Sequence, residues 1–69
     1  MLVRIEKIGT GMDASFMLDI GGDTIVESPA AIKRILLSKG VQPDHANSML
    51  DYTWNFRSGA FESSTGKLL

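Results

Sequence analysis

The alternation of apolar and polar residues predicts β-strands in the first third of the chain. Residues 2–8 are rich in β-branched side chains and end at a glycine, which is typical of a strand. In residues 14–20 every second side chain is apolar, so one face of this strand should be buried. The pair Gly21-Gly22 then favours a tight hairpin turn into a third strand at residues 24–26. We expect a three-stranded antiparallel β-meander over residues 1–27, with Phe16 and Leu18 facing the helices.

Residues 28–59 have the spacing of two helices. Ser28-Pro29 favours a helix start, because serine can cap the first turn and proline needs no hydrogen-bond partner there. The first helix should run over residues 30–39 and stop at Gly40. The second should begin near Pro43-Asp44 and end between Phe56 and Gly59, leaving residues 60–69 as a short strand or tail. The order predicts one small α+β domain spanning residues 1–69, with both helices packed on one face of the meander.

Composition adds an expectation about association. The chain has 69 residues and no cysteine, so disulfides and thiolate metal sites are excluded. A domain of this size buries only about 60% of the surface of its unfolded chain, and its core seldom supplies more than about 3–5 kcal/mol. Small domains without disulfides or metals usually gain the missing stability by forming a homodimer or by joining a larger complex. The lack of cysteine favours the cytoplasm, and no leader or membrane segment is predicted.

Candidate chemistry is sparse along the chain. His45 is the only histidine, and its place in a polar first turn predicts a solvated or capping role. Two glycine-containing turns, residues 9–11 and 64–67, lack the spacing of phosphate-binding loops. The second helix carries a polar stripe that is expected to be solvated rather than to bind a cation: Asp44, Asn47, Asp51 and Asn55. We therefore expect no catalytic, cofactor-binding or metal-binding residue, and a protein that is not an enzyme.

The second helix has more apolar surface than a sheet can cover. At 100° per residue its apolar side chains span an arc of about 200°, whereas packing on a sheet needs about half of that. Aromatic, methionine and arginine side chains are enriched at the centres of protein interfaces. We expect a partner interface at Met49, Tyr52, Trp54, Phe56 and Arg57. The alternative is that these side chains all fill one core.

Two further surfaces bear on the partner. Lys33, Arg34 and Leu37 form a secondary patch on the first helix, suited to an acidic partner or to a nucleic-acid backbone. The two helices also have the order of a helix-turn-helix, in which Asp44, His45, Asn47 and Ser48 would meet a DNA groove. The net charge of -1 disfavours this DNA- or RNA-binding alternative. The preferred hypothesis is a small regulator of adaptor or inhibitor type, a kind of protein often encoded by phages and other mobile elements.

Overall fold

The computed structural model describes residues 1–69, which form a four-stranded antiparallel sheet with two helices on one face. The strands are β1 (Leu2–Ile8), β2 (Ser15–Ile20), β3 (Asp23–Glu27) and β4 (Ser58–Glu62), and the helices are α1 (Pro29–Ser38) and α2 (Pro43–Phe56). A short 3-10 turn, Gly11–Asp13, joins β1 to β2. The predicted α+β fold is confirmed, including the short C-terminal strand.

The strands lie in the order β3-β2-β1-β4, so that β1 is central and β3 and β4 are the edges. The predicted hairpin between β2 and β3 turns at Gly21 and Gly22, whose φ angles are 57° and 85°. Two successive positive φ angles are what a type I′ turn requires, and they pair Ile20 with Asp23 at its base. The glycines thereby set the register of β3.

The core lies between the sheet and the helices. Its sheet side is formed by alternate residues of the strands, and Phe16 and Leu18 are buried there as predicted. The helices supply Ile32, Leu36, Ala46, Met49 and Thr53. Thr53 is the one buried polar residue, and its hydroxyl donates to the carbonyl of Met49 at 2.9 Å. That hydrogen bond offsets the cost of removing the hydroxyl from water.

The junction between α2 and β4 is tighter than predicted. The helix ends at Phe56, within the predicted range, but β4 already begins at Ser58 rather than at residue 60. Arg57 alone makes the turn between them, with a φ of 74°. The backbone N–H of Lys7 donates to the carbonyl of Arg57 at 2.6 Å, which ties this turn to β1. An arginine at positive φ is strained, because its Cβ crowds the backbone.

Gly59 instead lies within β4, where its missing side chain makes room for two rings. A Cβ built at residue 59 would lie 2.5 Å from the ring of Phe61 and 3.1 Å from the ring of Tyr52. Real Cβ atoms do not approach other atoms so closely, so an alanine at this position forces the Phe61 ring to move. The glycine is therefore a packing requirement of the core rather than a helix stop.

None of the helices is long and apolar enough to span a membrane.

Candidate interaction surfaces

The flank of α2 beside β4 carries an exposed aromatic pair. Tyr52 and Phe56 are one helical turn apart, and their ring centroids lie 4.6 Å apart. Tyr52 also meets Phe61 of β4 edge to face at 5.7 Å and is half-buried. Phe56 stacks on Tyr52 but keeps 66% of its surface exposed. The core anchors one ring of the pair and leaves the other accessible.

The other flank of α2 carries Trp54. Its indole meets Phe16 of β2 edge to face at 6.1 Å, and the Nζ atom of Lys7 lies 3.9 Å from the centre of the indole ring. An ammonium group over an indole face is a favourable cation–π contact. The side chain is still 39% exposed. Trp54 and Phe56 are thus both accessible, but they contact different rings and lie on opposite flanks of the helix.

The remaining members of the predicted interface divide between core and surface. Met49 is 0% exposed and presents nothing to a partner. Arg57 is exposed and follows Phe56 directly, and it makes no salt bridge. The structure therefore brings Tyr52, Phe56 and Arg57 together at the end of α2, which we call the α2-end surface. It places Met49 in the core and Trp54 apart.

The secondary patch is only partly accessible. Arg34 and Leu37 are exposed on α1, whereas Lys33 is half-buried. None of these side chains makes a salt bridge or a side-chain hydrogen bond. Lys33 and Leu37 are one helical turn apart and share a side of α1, while Arg34 is rotated from Lys33 by about 100°. The patch is small and has two free positive charges.

The start of α2 is covered by the end of the chain. His45 was predicted to have a solvated or capping role, but it is half-buried beneath the turn at residues 63–66, and no side chain caps α2. A Cβ built at Gly66 would lie 2.8 Å from the Cβ of His45, and the Nδ1 atom of His45 is buried without a hydrogen-bond partner. Asp44, Asn47 and Ser48 remain exposed. Of the four residues that a helix-turn-helix would present to DNA, one is therefore largely covered.

The carboxylate of Glu62 holds in place the turn at residues 63–66 that covers His45. Glu62, the last residue of β4, accepts from the amino terminus of Met1 at 2.7 Å and from the backbone N–H and hydroxyl of Ser64 at 3.2 and 3.1 Å. The hydrogen-bonded ammonium group, followed by the two Ser64 donors, lowers the pKa of Glu62 to about 2. Beyond the turn, Leu68 bridges to Phe61 in antiparallel fashion, and the N–H of Leu69 donates to the carbonyl of Ala60.

The side of the sheet that no helix covers was not among the predicted interaction surfaces. This open face is formed by the side chains that alternate with the core residues. It holds a shallow depression of about 390 Å³ whose outward-facing lining is Arg4, Glu6, Met17, Asp19, Ser58 and Ala60. Beside it on β3, Thr24 and Val26 are exposed. The signal was present in the alternation of β2, which turns Ser15, Met17 and Asp19 away from the core.

No group of three or more histidine, cysteine, aspartate or glutamate side chains is placed to hold a metal ion. No family model matches the chain, and no curated protein or solved structure is similar to it.

Proposed function

We propose that this protein is a non-catalytic protein–protein interaction module, of adaptor or inhibitor type, that works as a homodimer or within a complex through the α2-end surface. The observation that carries the proposal is the accessible phenylalanine at the end of α2. Phe56 is 66% exposed while it stacks on the anchored ring of Tyr52. Full burial of such a side chain is worth about 1.5–3 kcal/mol, which a partner can supply and this domain does not.

Part of the α2-end surface is already ordered before any partner binds. Tyr52 is fixed between Phe56 and Phe61, and the backbone of Arg57 is tied to β1 by the N–H of Lys7. A side chain that is already ordered loses little rotamer freedom on binding, which otherwise costs about 0.5–1.5 kcal/mol for each immobilised residue. Aromatic and arginine side chains in such a setting are the residues that most often dominate binding energy.

Size supports the same proposal. Only 13 of the 69 residues are buried, which limits the stability that the core alone provides. Covering the rings at the end of α2 would add apolar burial that the fold lacks. Folding and association would then be linked, so the melting temperature should rise with protein concentration if the partner is a second copy.

The test compares two variants that add the same negative charge near the end of α2. Phe56→Asp removes the exposed ring, whereas Asn55→Asp changes the neighbouring solvated position. The oligomeric state is measured by sedimentation equilibrium, and stoichiometric partners are captured from extract of the native cells with and without nuclease. We expect Phe56→Asp to abolish a dimer or a nuclease-resistant complex that Asn55→Asp retains.

Three results would contradict the proposal. Equal behaviour of the two variants would remove the α2-end surface from the interaction. A wild-type protein that stays monomeric and retains no partner would remove the interaction itself. Loss of every captured component after nuclease treatment would favour the DNA- or RNA-binding alternative.

A further inference from the structure

The two edges of the sheet differ in whether their backbone groups are used. The outer edge of β4 is paired with the C-terminal segment, since the N–H of Glu62 donates to the carbonyl of Lys67 and the N–H of Leu69 donates to the carbonyl of Ala60. The outer edge of β3 has no such neighbour, because β3 pairs only with β2. Four of its five residues are exposed. It contains no proline, lysine or bulge, and the charges that discourage unspecific pairing along this edge are the acidic ones of Asp23 and Glu27.

The hairpin register shows which backbone groups are free. A two-residue turn closes on a hydrogen-bonded pair, here Ile20 and Asp23, and bonded pairs then recur at every second residue. Asp23, Ile25 and Glu27 therefore direct their backbone groups towards β2. Thr24 and Val26 direct their N–H and C=O groups outwards. The edge offers two donors and two acceptors to an added strand.

The side chains of β3 give this edge an acidic character. Asp23 and Glu27 stand at its two ends, and Glu27 makes no salt bridge. One cation makes a salt bridge with this strand: the Nζ of Lys39, at the end of α1, lies 3.8 Å from an exposed Asp23 oxygen. On the open face, Asp19 of β2 adds a third carboxylate, which accepts from the hydroxyl of Thr24 and lies opposite Arg4 of β1. Between the two acidic ends lies Ile25, half-buried against the core.

A second copy of the chain does not suit this edge. In the antiparallel pairing centred on Ile25, which uses all the free groups of Thr24 and Val26, Asp23 of each copy would face Glu27 of the other. Like charges directly opposite one another destabilise a strand pair. These positions are non-hydrogen-bonded pairs, where the side chains lie closest, so the repulsion would be at its strongest.

We infer that β3 accepts, as a fifth strand, an extended segment of another protein with the pattern basic–any–apolar–any–basic. The two basic side chains would face Asp23 and Glu27, and the apolar side chain would cover Ile25. The backbone of the segment would bond to the free groups of Thr24 and Val26. This is the strand-addition mode of peptide recognition, in which the backbone supplies affinity and alternate side chains supply specificity. The inference does not depend on the α2-end surface.

The probe is the capped peptide Ser-Lys-Thr-Ile-Thr-Lys-Ser, compared with the same peptide carrying glutamate for both lysines. Binding is followed by amide chemical shifts and hydrogen exchange of the full chain. We expect the lysine peptide to shift β3 resonances and to protect the Thr24 and Val26 amides from exchange. The combined change Asp23→Lys and Glu27→Lys should weaken it by about ten-fold and transfer the preference to the glutamate peptide.

Two variants make the test specific. Asp44→Lys with Asp51→Lys alters the net charge equally on the solvated side of α2 and should leave the affinity within about two-fold. Val26→Pro removes one outward N–H without touching the bonds to β2, and it should weaken the lysine peptide about five-fold or more. This second variant tests the edge even if the charge reversal impairs folding.

The inference would be overturned by no binding at millimolar peptide, by equal affinity for both peptides, or by shifts that avoid β3. Protection of Thr24 and Val26 in concentrated protein without peptide would instead assign the edge to a second copy. None of these results bears on Phe56→Asp, so the inference and the proposed function fail separately.

Discussion

The two edges of the sheet are built in different ways. The β3 edge is local, because it follows β2 after two glycines and is exposed at most of its residues. The β4 edge is assembled from distant parts of the chain, since Glu62 joins the amino terminus, Phe61 enters the core, and Gly66 packs on His45. An edge made of long-range contacts should be sensitive to mutation. An edge made of one hairpin should tolerate mutation, and its unpaired backbone groups should be available to a binding partner.

The largest expected effect is the difference in stability lost when one side chain is truncated on each edge strand. Phe61→Ala removes a buried ring from the core and should lower the free energy of unfolding by about 3–5 kcal/mol. A core of this size seldom supplies more, so the variant should be largely unfolded even without denaturant. Val26→Ala trims an exposed side chain on β3 and should change the free energy of unfolding by no more than about 0.5 kcal/mol. Circular dichroism in water detects the first effect, and denaturant unfolding measures the second. Comparable losses would show that the two edges are equally integrated into the core.

The next effect tests the close approach at Gly59. Gly59→Ala places a Cβ where the Phe61 ring lies and should cost about 1–3 kcal/mol. The same change in a Phe61→Leu background should cost less, because the aromatic atoms that would clash are absent. A double-mutant cycle measures the coupling between the two positions. An unchanged cost in the leucine background would mean that the penalty comes from the backbone instead.

The turns that lead into the two edge strands offer a third contrast. β3 follows a pair of glycines, whereas β4 follows a single arginine at positive φ. Arg57→Gly should relieve this strain and raise the free energy of unfolding of the isolated chain by about 0.5–1 kcal/mol. Asn55→Gly, inside α2, is the matched control and should lower stability, because glycine is a poor helix former. A stabilising effect of both changes would argue against strain at Arg57.

The smallest expected effect is the pH dependence contributed by Glu62. Its pKa is lowered from 4.5 to about 2 in the folded protein, so folding favours the charged carboxylate. This contribution is fully present above pH 4.5 and is lost as the pH falls towards 2. Glu62→Gln should therefore reduce the melting temperature at neutral pH and leave it nearly unchanged near pH 2. Glu27→Gln is the matched change on the β3 edge, where the carboxylate makes neither a hydrogen bond nor a salt bridge.

Much of this architecture was predictable because its signals are local. The alternation in β2 identified the buried face, two glycines identified the hairpin, and Ser28 caps α1 through its hydroxyl as expected. The β4 edge was harder to predict. Nothing near Arg57 in the sequence marks it as a positive-φ turn, and the packing of Gly59 against Phe61 is visible only once both lie on one strand.

The candidate surface was predictable only in part, for a geometric reason. Helical spacing gives the width of the apolar arc on α2, but it does not say which part of the arc faces the sheet. The sheet takes the part that contains Met49, which separates Trp54 from Phe56. The covering of His45 depends on Gly66, some twenty residues further along, and no local pattern reports such a contact.

The intrinsic fluorescence of Trp54 can report on binding at its flank of α2. Trp54 is the only tryptophan, it is partly exposed, and an ammonium group lies over its ring. Its emission wavelength responds to the polarity around the indole, so a partner that covers this flank of α2 should shift the emission to the blue, whereas unfolding should shift it to the red. A partner confined to the α2-end surface, on the opposite flank of the helix, should leave the spectrum nearly unchanged. One unlabelled titration can therefore tell which flank of α2 a ligand has reached.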